Sequence, residues 1–313
     1  MNRSRFTVAL AATLVAAVAA SHDLRDVNAA APKVPPLLVS SAWLSAHLSD
    51  PKIVLLHVGD RAEYDAAHIP GARYVSQRDV SVSSEDHEKG LMLEMPSPDS
   101  LRAKLQRLGI SNDSRVIVYY GNDWVSPTTR VIFTLDYAGL GASAALLDGG
   151  MPAWTSEGRA LTTVVPKPAA GRLAALRINP IVVDAAWVKS RLGMPNFHLI
   201  DGRAAMFYDG VQTGGSRKGH IAGAKSLPYT EIAGEDLRLH SPDQLRALFA
   251  RAGVGPGDTV VAYCHIGQQA TAVLFAARSI GHPVLLYDGS YQDWSRRADL
   301  PVEDPRAGKP SPQ

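Results

Sequence analysis

The chain carries one string of motifs twice, in the same order. LVSSAWL at 38–44 returns as VVDAAWV at 182–188, which places Trp43 and Trp187 144 positions apart. SPDSLRAKLQRLGI at 97–110 returns as SPDQLRALFARAGV at 241–254, at the same offset. His68–Ala72 matches His220–Ala224 at an offset of 152, and LLDGGMPAW at 146–154 matches LYDGSYQDW at 286–294 at an offset of 140. A period this long means two copies of a domain, not a solenoid of short units. A length of 313 residues gives room for both.

Each copy follows one pattern. A hydrophobic run (Ile53–Val58; Phe197–Asp201) is followed by a helix opened by Ser97 or Ser241 as N-cap, with proline at the first helical position and an acid in the first turn. Leu101, Leu105 and Leu108 recur at helical spacing, as do Leu245 and Leu248. A β-branched strand (Val116–Tyr120; Thr259–Tyr263), a loop, an apolar helix (127–139; 268–280) and a short strand (Ala144–Leu147; Val284–Tyr287) complete the unit. Strands alternating with helices predict an α/β fold: two tandem domains, each a mostly parallel sheet flanked by helices on both faces. The expected domains are 35–160 and 179–300. Between them 161–178, with its Pro/Ala/Gly-rich core, reads as a linker, and the Pro-rich tail 301–313 as chain that wraps the surface or is disordered.

Arg3 and Arg5 precede an apolar stretch from Phe6 to Ala20 with an Ala17-Val18-Ala19 cleavage pattern. The spacing predicts a signal peptide over 1–20 and a periplasmic or secreted mature protein; the alternative is an uncleaved anchor. The stretch is short of the ~20 residues that span a bilayer, so no membrane association is expected after cleavage. A net charge of +2 without long runs of one sign carries no nucleic-acid footprint. One cysteine excludes an intramolecular disulfide and a multi-cysteine zinc site. In an exported protein a lone cysteine reads as a reactive thiol or as a small buried hydrophobe.

The neighbours of Cys264 decide between these. A predicted strand runs into the cysteine, the loop Cys-His-Ile-Gly-Gln-Gln follows, and an apolar helix begins. The sulfur therefore lies at the C-terminal end of a parallel strand, where open α/β folds bind ligands. It also faces the N-terminus of the next helix, where free N–H groups and the helix dipole stabilise a thiolate. Gly267 lets the loop bend so that N–H groups converge. Each such charge-assisted hydrogen bond is worth about 1.5–3 kcal/mol.

The combination of His68–Ala72, His220–Ala224, Cys264 on a strand-to-helix loop, Asp148–Gly150 and Asp288–Ser290 resembles the tandem rhodanese-like sulfurtransferases across about 35–300. The resemblance implies ping-pong chemistry: the Cys264 thiolate takes a sulfane sulfur from a small anionic donor as a persulfide, then gives it to cyanide or a thiol. No metal or organic cofactor is implied, and a periplasmic thiol reductant is a further expected partner. Tyr120 stands where the second copy has Cys264, and a phenol cannot form a persulfide, so the first domain is expected to be silent.

The resemblance also makes Arg203 an anion-binding residue, the favoured reading, with a surface salt bridge to Asp201 or Asp209 as the alternative. Gly59 stands in its place in the silent copy. The glycine-rich insertion DGVQTGGSRKGH, with Arg217 and Lys218, reads as a basic lid or as a solvated loop. His265 would add positive character if protonated, or point to solvent. Ile266, Gly267, Gln268, Gln269 and Ala270 complete the expected binding loop, mainly through backbone N–H groups. His68 and His220 read as structural. A phosphatase-like activity needs Cys-x5-Arg, but the sixth position after Cys264 is Ala270. The loop matches neither the thiosulfate-type pattern Cys-Arg-Lys-Gly-Val nor the mercaptopyruvate-type Cys-Gly-Ser/Thr-Gly-Val. Arg203 and Arg217 tilt the expectation toward thiosulfate. Mercaptopyruvate sulfurtransfer and a non-enzymatic sulfur-carrier or partner-binding module are the alternatives.

Overall fold

A computed structural model of the chain describes residues 36–86, 90–122 and 126–307. The expected leader, 1–20, lies outside them. The first half runs β1 (Leu38–Val39), α1 (Ser41–His47), β2 (Ile53–Val58), α2 (Arg61–Ala66), β3 (Arg73–Tyr74), α3 (Pro98–Arg107), β4 (Arg115–Tyr120), α4 (Ser126–Tyr137), β5 (Ala144–Leu147) and α5 (Gly150–Ser156). The second runs β6 (Val182–Val183), α6 (Ala185–Lys189), β7 (Phe197–Asp201), α7 (Ala205–Tyr208), β8 (His220–Ile221), β9 (Lys225–Ser226), α8 (Pro242–Arg251), β10 (Thr259–Tyr263), α9 (Gln269–Ser279), β11 (Val284–Tyr287), α10 (Ser290–Trp294) and β12 (Val302–Glu303).

Each half builds a five-stranded sheet, β1-β5-β4-β2-β3 and β6-β11-β10-β7-β9, parallel throughout. The orders are identical under the repeat. Helices cover both faces, so the central strands read as unbroken apolar runs. Ser97 and Ser241 cap α3 and α8 by accepting from the Ser100 and Gln244 amides, with proline at the helix start. The tail does not simply trail over the surface. Its β12 pairs antiparallel with β8, and Glu303 accepts from the Gly223 amide (3.2 Å) beside His220 Nε2 (3.2 Å). His220 and His68 stack on Tyr208 and Tyr64 and hydrogen-bond those tyrosines' carbonyls, the structural role expected of them.

The halves meet along α4 and α9. Thr129 Oγ1 lies 3.0 Å from Thr271 Oγ1, and Arg278 pairs with Asp136 at 2.9 Å. Phe133 of α4 is buried in the core of the second half, and Phe275 of α9 in the core of the first. Each core is thus completed by an aromatic ring from the other copy, and the described residues form one unit. Truncation of such a ring costs about 3–5 kcal/mol.

Where β7 ends in Asp201, the matching residue of β2 is His57, and both pair in register with a tyrosine on the next strand. His57 is fully buried against Tyr64 and Tyr119, and among the described residues neither ring nitrogen has a hydrogen-bond partner. Burial lowers its pKa from 6.5 to about 4, with Glu63 partly opposing the shift. Below about 6.5 the unfolded chain takes up this proton while the folded chain excludes it. Stability present above pH 6.5 is therefore lost as the pH falls toward 4, by about 3 kcal/mol in full. Urea unfolding at pH 7.5 and 5.0 tests this: wild type loses stability at pH 5.0, and His57→Phe loses distinctly less. Equal losses in the two proteins would contradict the assignment.

Candidate active site

Cys264 directly follows β10, is 1% exposed, and is held by its main chain. Its amide donates to Ser290 Oγ (3.2 Å), and its carbonyl accepts from the Tyr291 amide (3.0 Å). The His265 carbonyl accepts from the Gln292 amide (3.0 Å). The strand-end cysteine is thereby tied to the start of α10. Ser290 is fully buried at φ +52°, the left-handed region, where the first copy has Gly150 at the same φ. A serine there is strained, and its hydroxyl offsets the strain by accepting from Cys264 and donating to the Tyr287 carbonyl (2.9 Å). Sequence reading missed Ser290 as a site residue. The only signal was the change from Asp-Gly-Gly to Asp-Gly-Ser between the copies.

The loop from Cys264 turns at Gly267, φ +78°, and enters α9. The residues expected on this loop, His265 to Ala270, are together here, with Ala270 fully buried. Gln268 Oε1 accepts from Gln77 Nε2 of the first half (2.9 Å). Gln269 Oε1 is buried without a hydrogen-bond partner among the described residues. His265 does not point to solvent. Its ring stands edge-on to Phe207 at 4.5 Å, and its Nδ1 is 3.3 Å from the Gly214 carbonyl. Burial pushes its pKa below the usual imidazole value, only partly offset by that carbonyl.

The two arginines expected to bind an anion are committed elsewhere. Arg203 is 0% exposed and donates Nε and Nη2 to the Asp201 carboxylate, with Nη2 to Asp201 Oδ2 at 2.6 Å. Nη2 also donates to the Gly219 carbonyl (2.8 Å). The guanidinium lies over the Tyr291 ring at 4.0 Å, and Tyr263 completes the cluster by donating to Asp201 (2.8 Å). Burial alone would weaken the arginine's hold on its proton, but Asp201 outweighs it and the pKa rises. The salt-bridge reading of Arg203 is therefore correct in partner, although the pair is buried, not on the surface. Only Nη1 lacks a partner among the described residues. In the first half the same place holds neutral His57 with Gly59, since an unpaired buried charge is costly.

Arg217 is not a residue of a free lid. Its Nε donates to the Ser295 carbonyl, Nη1 to Leu300, and Nη2 to Trp294 and Arg297, at 2.9–3.0 Å. This guanidinium satisfies the carbonyls at and after the end of α10. The 209–219 insertion is correspondingly a strap. The Tyr291 hydroxyl donates to the Lys218 carbonyl (3.1 Å), and the Ser216 amide donates to Ser295 Oγ (3.1 Å).

A third arginine, which the sequence did not single out, reaches the loop from the other half. Arg130 of α4 is 0% exposed. Its Nη1 donates to the Gly267 carbonyl (3.0 Å) and to Asp288 Oδ1 (2.7 Å), and its Nη2 to the Leu93 carbonyl. Asp288 Oδ2 accepts from the Met95 amide (2.9 Å). The first copy's Asp-Gly turn repeats the plan. Tyr120 donates its hydroxyl to the Leu237 carbonyl (2.8 Å), and the Leu239 amide donates to Asp148 Oδ1 (3.1 Å). Leu93 and Leu237 share a left-handed φ, +57° and +60°. Each half thus extends an arm into the other's Asp-Gly turn.

A rhodanese-like domain model matches the chain twice, at residues 40–157 and 184–297. A relative from Thermus thermophilus, "Sulfur carrier protein TtuD", is 32% identical over 289 residues, covering 86% of this chain and 96% of its own. The "3-mercaptopyruvate sulfurtransferase" of Escherichia coli K12 is 32% identical over 280 residues, covering 85% and 97%. The "Thiosulfate sulfurtransferase" of Azotobacter vinelandii is 28% identical over 271 residues, covering 86% and 97%. Among solved structures, SseA from Escherichia coli, titled as a 3-mercaptopyruvate sulfotransferase, superposes with a TM-score of 0.72 at 27% identity, covering 82% of this chain and 99% of that one.

Gly267 gives a local test. A Cβ there would lie 3.0 Å from Arg130 Nη1, Asp288 Oδ1 and the Asp288 carbonyl, whereas at Gly253, φ +83°, nothing lies within 4 Å. Gly253→Ala is expected to cost only the left-handed backbone, about 1–2 kcal/mol. Gly267→Ala adds the steric cost, so its thermal midpoint falls further. Equal midpoints would mean that the loop is not packed as described.

Proposed function

This chain belongs to the rhodanese-like domain family, and from that premise we propose that it is a sulfurtransferase that carries sulfane sulfur on Cys264. The observation that supports this reading is the placement of the chain's one cysteine. It sits at the C-terminal end of β10, its main chain pinned by Ser290 and Tyr291, on a loop leading into the N-terminus of α9. Relatives aligning over nearly their full length, with names that describe sulfur transfer or carriage, point the same way.

With thiosulfate, the Cys264 thiolate attacks the outer sulfur. The S–S bond breaks, sulfite leaves with the electron pair, and a persulfide anion remains on Cys264. Cyanide or a thiolate then attacks the outer sulfur, the new S–S bond breaks, and the Cys264 thiolate returns. Main-chain N–H groups at the loop and helix start stabilise the negative sulfur. Tyr120, buried and donating to Leu237, has no such chemistry, so the first half acts as scaffold.

The charge argument for thiosulfate is weaker than the sequence suggested. Arg203 and Arg217 hold Asp201 and the end of α10, and burial lowers the pKa of His265. Loop N–H groups serve a sulfonate or a carboxylate alike, so thiosulfate and 3-mercaptopyruvate both fit as donors.

Intact mass after each donor tests the proposal. Wild type gains one sulfur, ~32 Da, that cyanide removes, while Cys264→Ser gains none. Failure of both donors to load a thiol that reacts with iodoacetamide would overturn the enzymatic reading in favour of a partner-loaded sulfur carrier.

A further inference from the structure

We propose that Arg130, contributed by the silent half, is a positioning residue for the Cys264 loop. It fixes the Gly267–Gln268 peptide so that loop N–H groups, and not a carbonyl oxygen, face the sulfur. The inference rests on the reading of Cys264 as the reacting group.

The Gly267 carbonyl is committed to Arg130 Nη1 at 3.0 Å. The peptide bonds are all trans among the described residues, so a carbonyl directed at Arg130 sends the Gln268 N–H the opposite way. Gly267 adopts φ +78°, where no side chain biases the backbone. Without an external tether, glycine permits this peptide to turn over, and its oxygen would then present a partial negative charge to the anionic sulfur. The tether itself cannot wander. The guanidinium is wholly buried and donates to Asp288 Oδ1 (2.7 Å) and the Leu93 carbonyl as well. Asp288 is in turn fixed by the Met95 amide (2.9 Å). Four points from two halves of the chain therefore define one peptide plane. A planar fork of donors performs this task, and the single ammonium of a lysine does not reproduce it. Retention of the silent copy also gains a physical reason, since the active loop is incomplete without α4 and the arm 90–95.

The test is the pH dependence of Cys264 alkylation by iodoacetamide, read by intact mass on the full chain. Two variants are used. Arg130→Lys retains the charge facing Asp288. Arg130→Met combined with Asp288→Asn removes the pair together, so that no buried charge is left alone. Circular dichroism confirms that each is folded. The expected result in both is a midpoint about one unit higher and alkylation about tenfold slower at pH values below both midpoints, the equivalence of one pKa unit. A merely structural role moves the readout the other way, because loosening exposes a thiol that is 1% accessible and speeds alkylation without moving the midpoint. Folded variants with the wild-type midpoint, or with faster alkylation, overturn the inference. Sulfur loading of wild type by thiosulfate or mercaptopyruvate is measured alongside. If wild type fails to load, the functional reading falls, while the alkylation profiles still decide on Arg130.

Discussion

A carboxylate at the end of β5 and another at the end of β11 are each satisfied from the opposite half of the chain. Asp288 takes the Met95 amide and the Arg130 guanidinium, and Asp148 takes the Leu239 amide with Arg238 nearby at 3.9 Å. These turns stand beside Cys264 and Tyr120, so the crossed contacts fix the surroundings of both. A buried carboxylate must be paired or hydrogen-bonded. By drawing its partners from the other copy, each half makes correct docking a condition of its own electrostatics. Phe133 and Phe275, buried in each other's half, add the apolar counterpart.

On this symmetric frame the copies diverge at a few positions with clear physical consequences. Cys264 is replaced by Tyr120, whose hydroxyl reaches across to the Leu237 carbonyl and ties that position to the other half. Ser290 is replaced by Gly150, where an added Cβ would meet the Tyr120 ring at 2.4 Å. The bulky ring and the missing side chain therefore change together. The Asp201–Arg203 pair is replaced by neutral His57 and Gly59, so neither half buries an isolated charge.

Much of this was legible in the sequence. Repeated motifs gave the two domains, apolar runs gave the parallel sheets, and cap residues placed α3 and α8. The strand-loop-helix pattern placed Cys264 and its loop. What the sequence concealed depends on three-dimensional partners. Arg203 and Arg217 look like anion binders because Arg is suited to anions, yet Asp201 and the carbonyls around the end of α10 use the same donors first. Arg130 lies in an otherwise ordinary helix of the first copy, and no local pattern shows that its side chain ends against Gly267, 137 positions away. His265 follows Cys264 in sequence, but its ring packs under Phe207 and the 209–219 strap.

The central claim is that sulfur rides on Cys264 within a loop held in one conformation by both halves of the chain. A crystal structure of the protein soaked in thiosulfate, with a second crystal soaked in 3-mercaptopyruvate, tests it most directly. The account predicts a second sulfur bonded to Cys264 Sγ within hydrogen-bond reach of loop N–H groups, while the Gly267 carbonyl remains on Arg130. Unmodified Cys264 in both crystals, or a persulfide facing the Gly267 carbonyl with Arg130 disengaged, would contradict it.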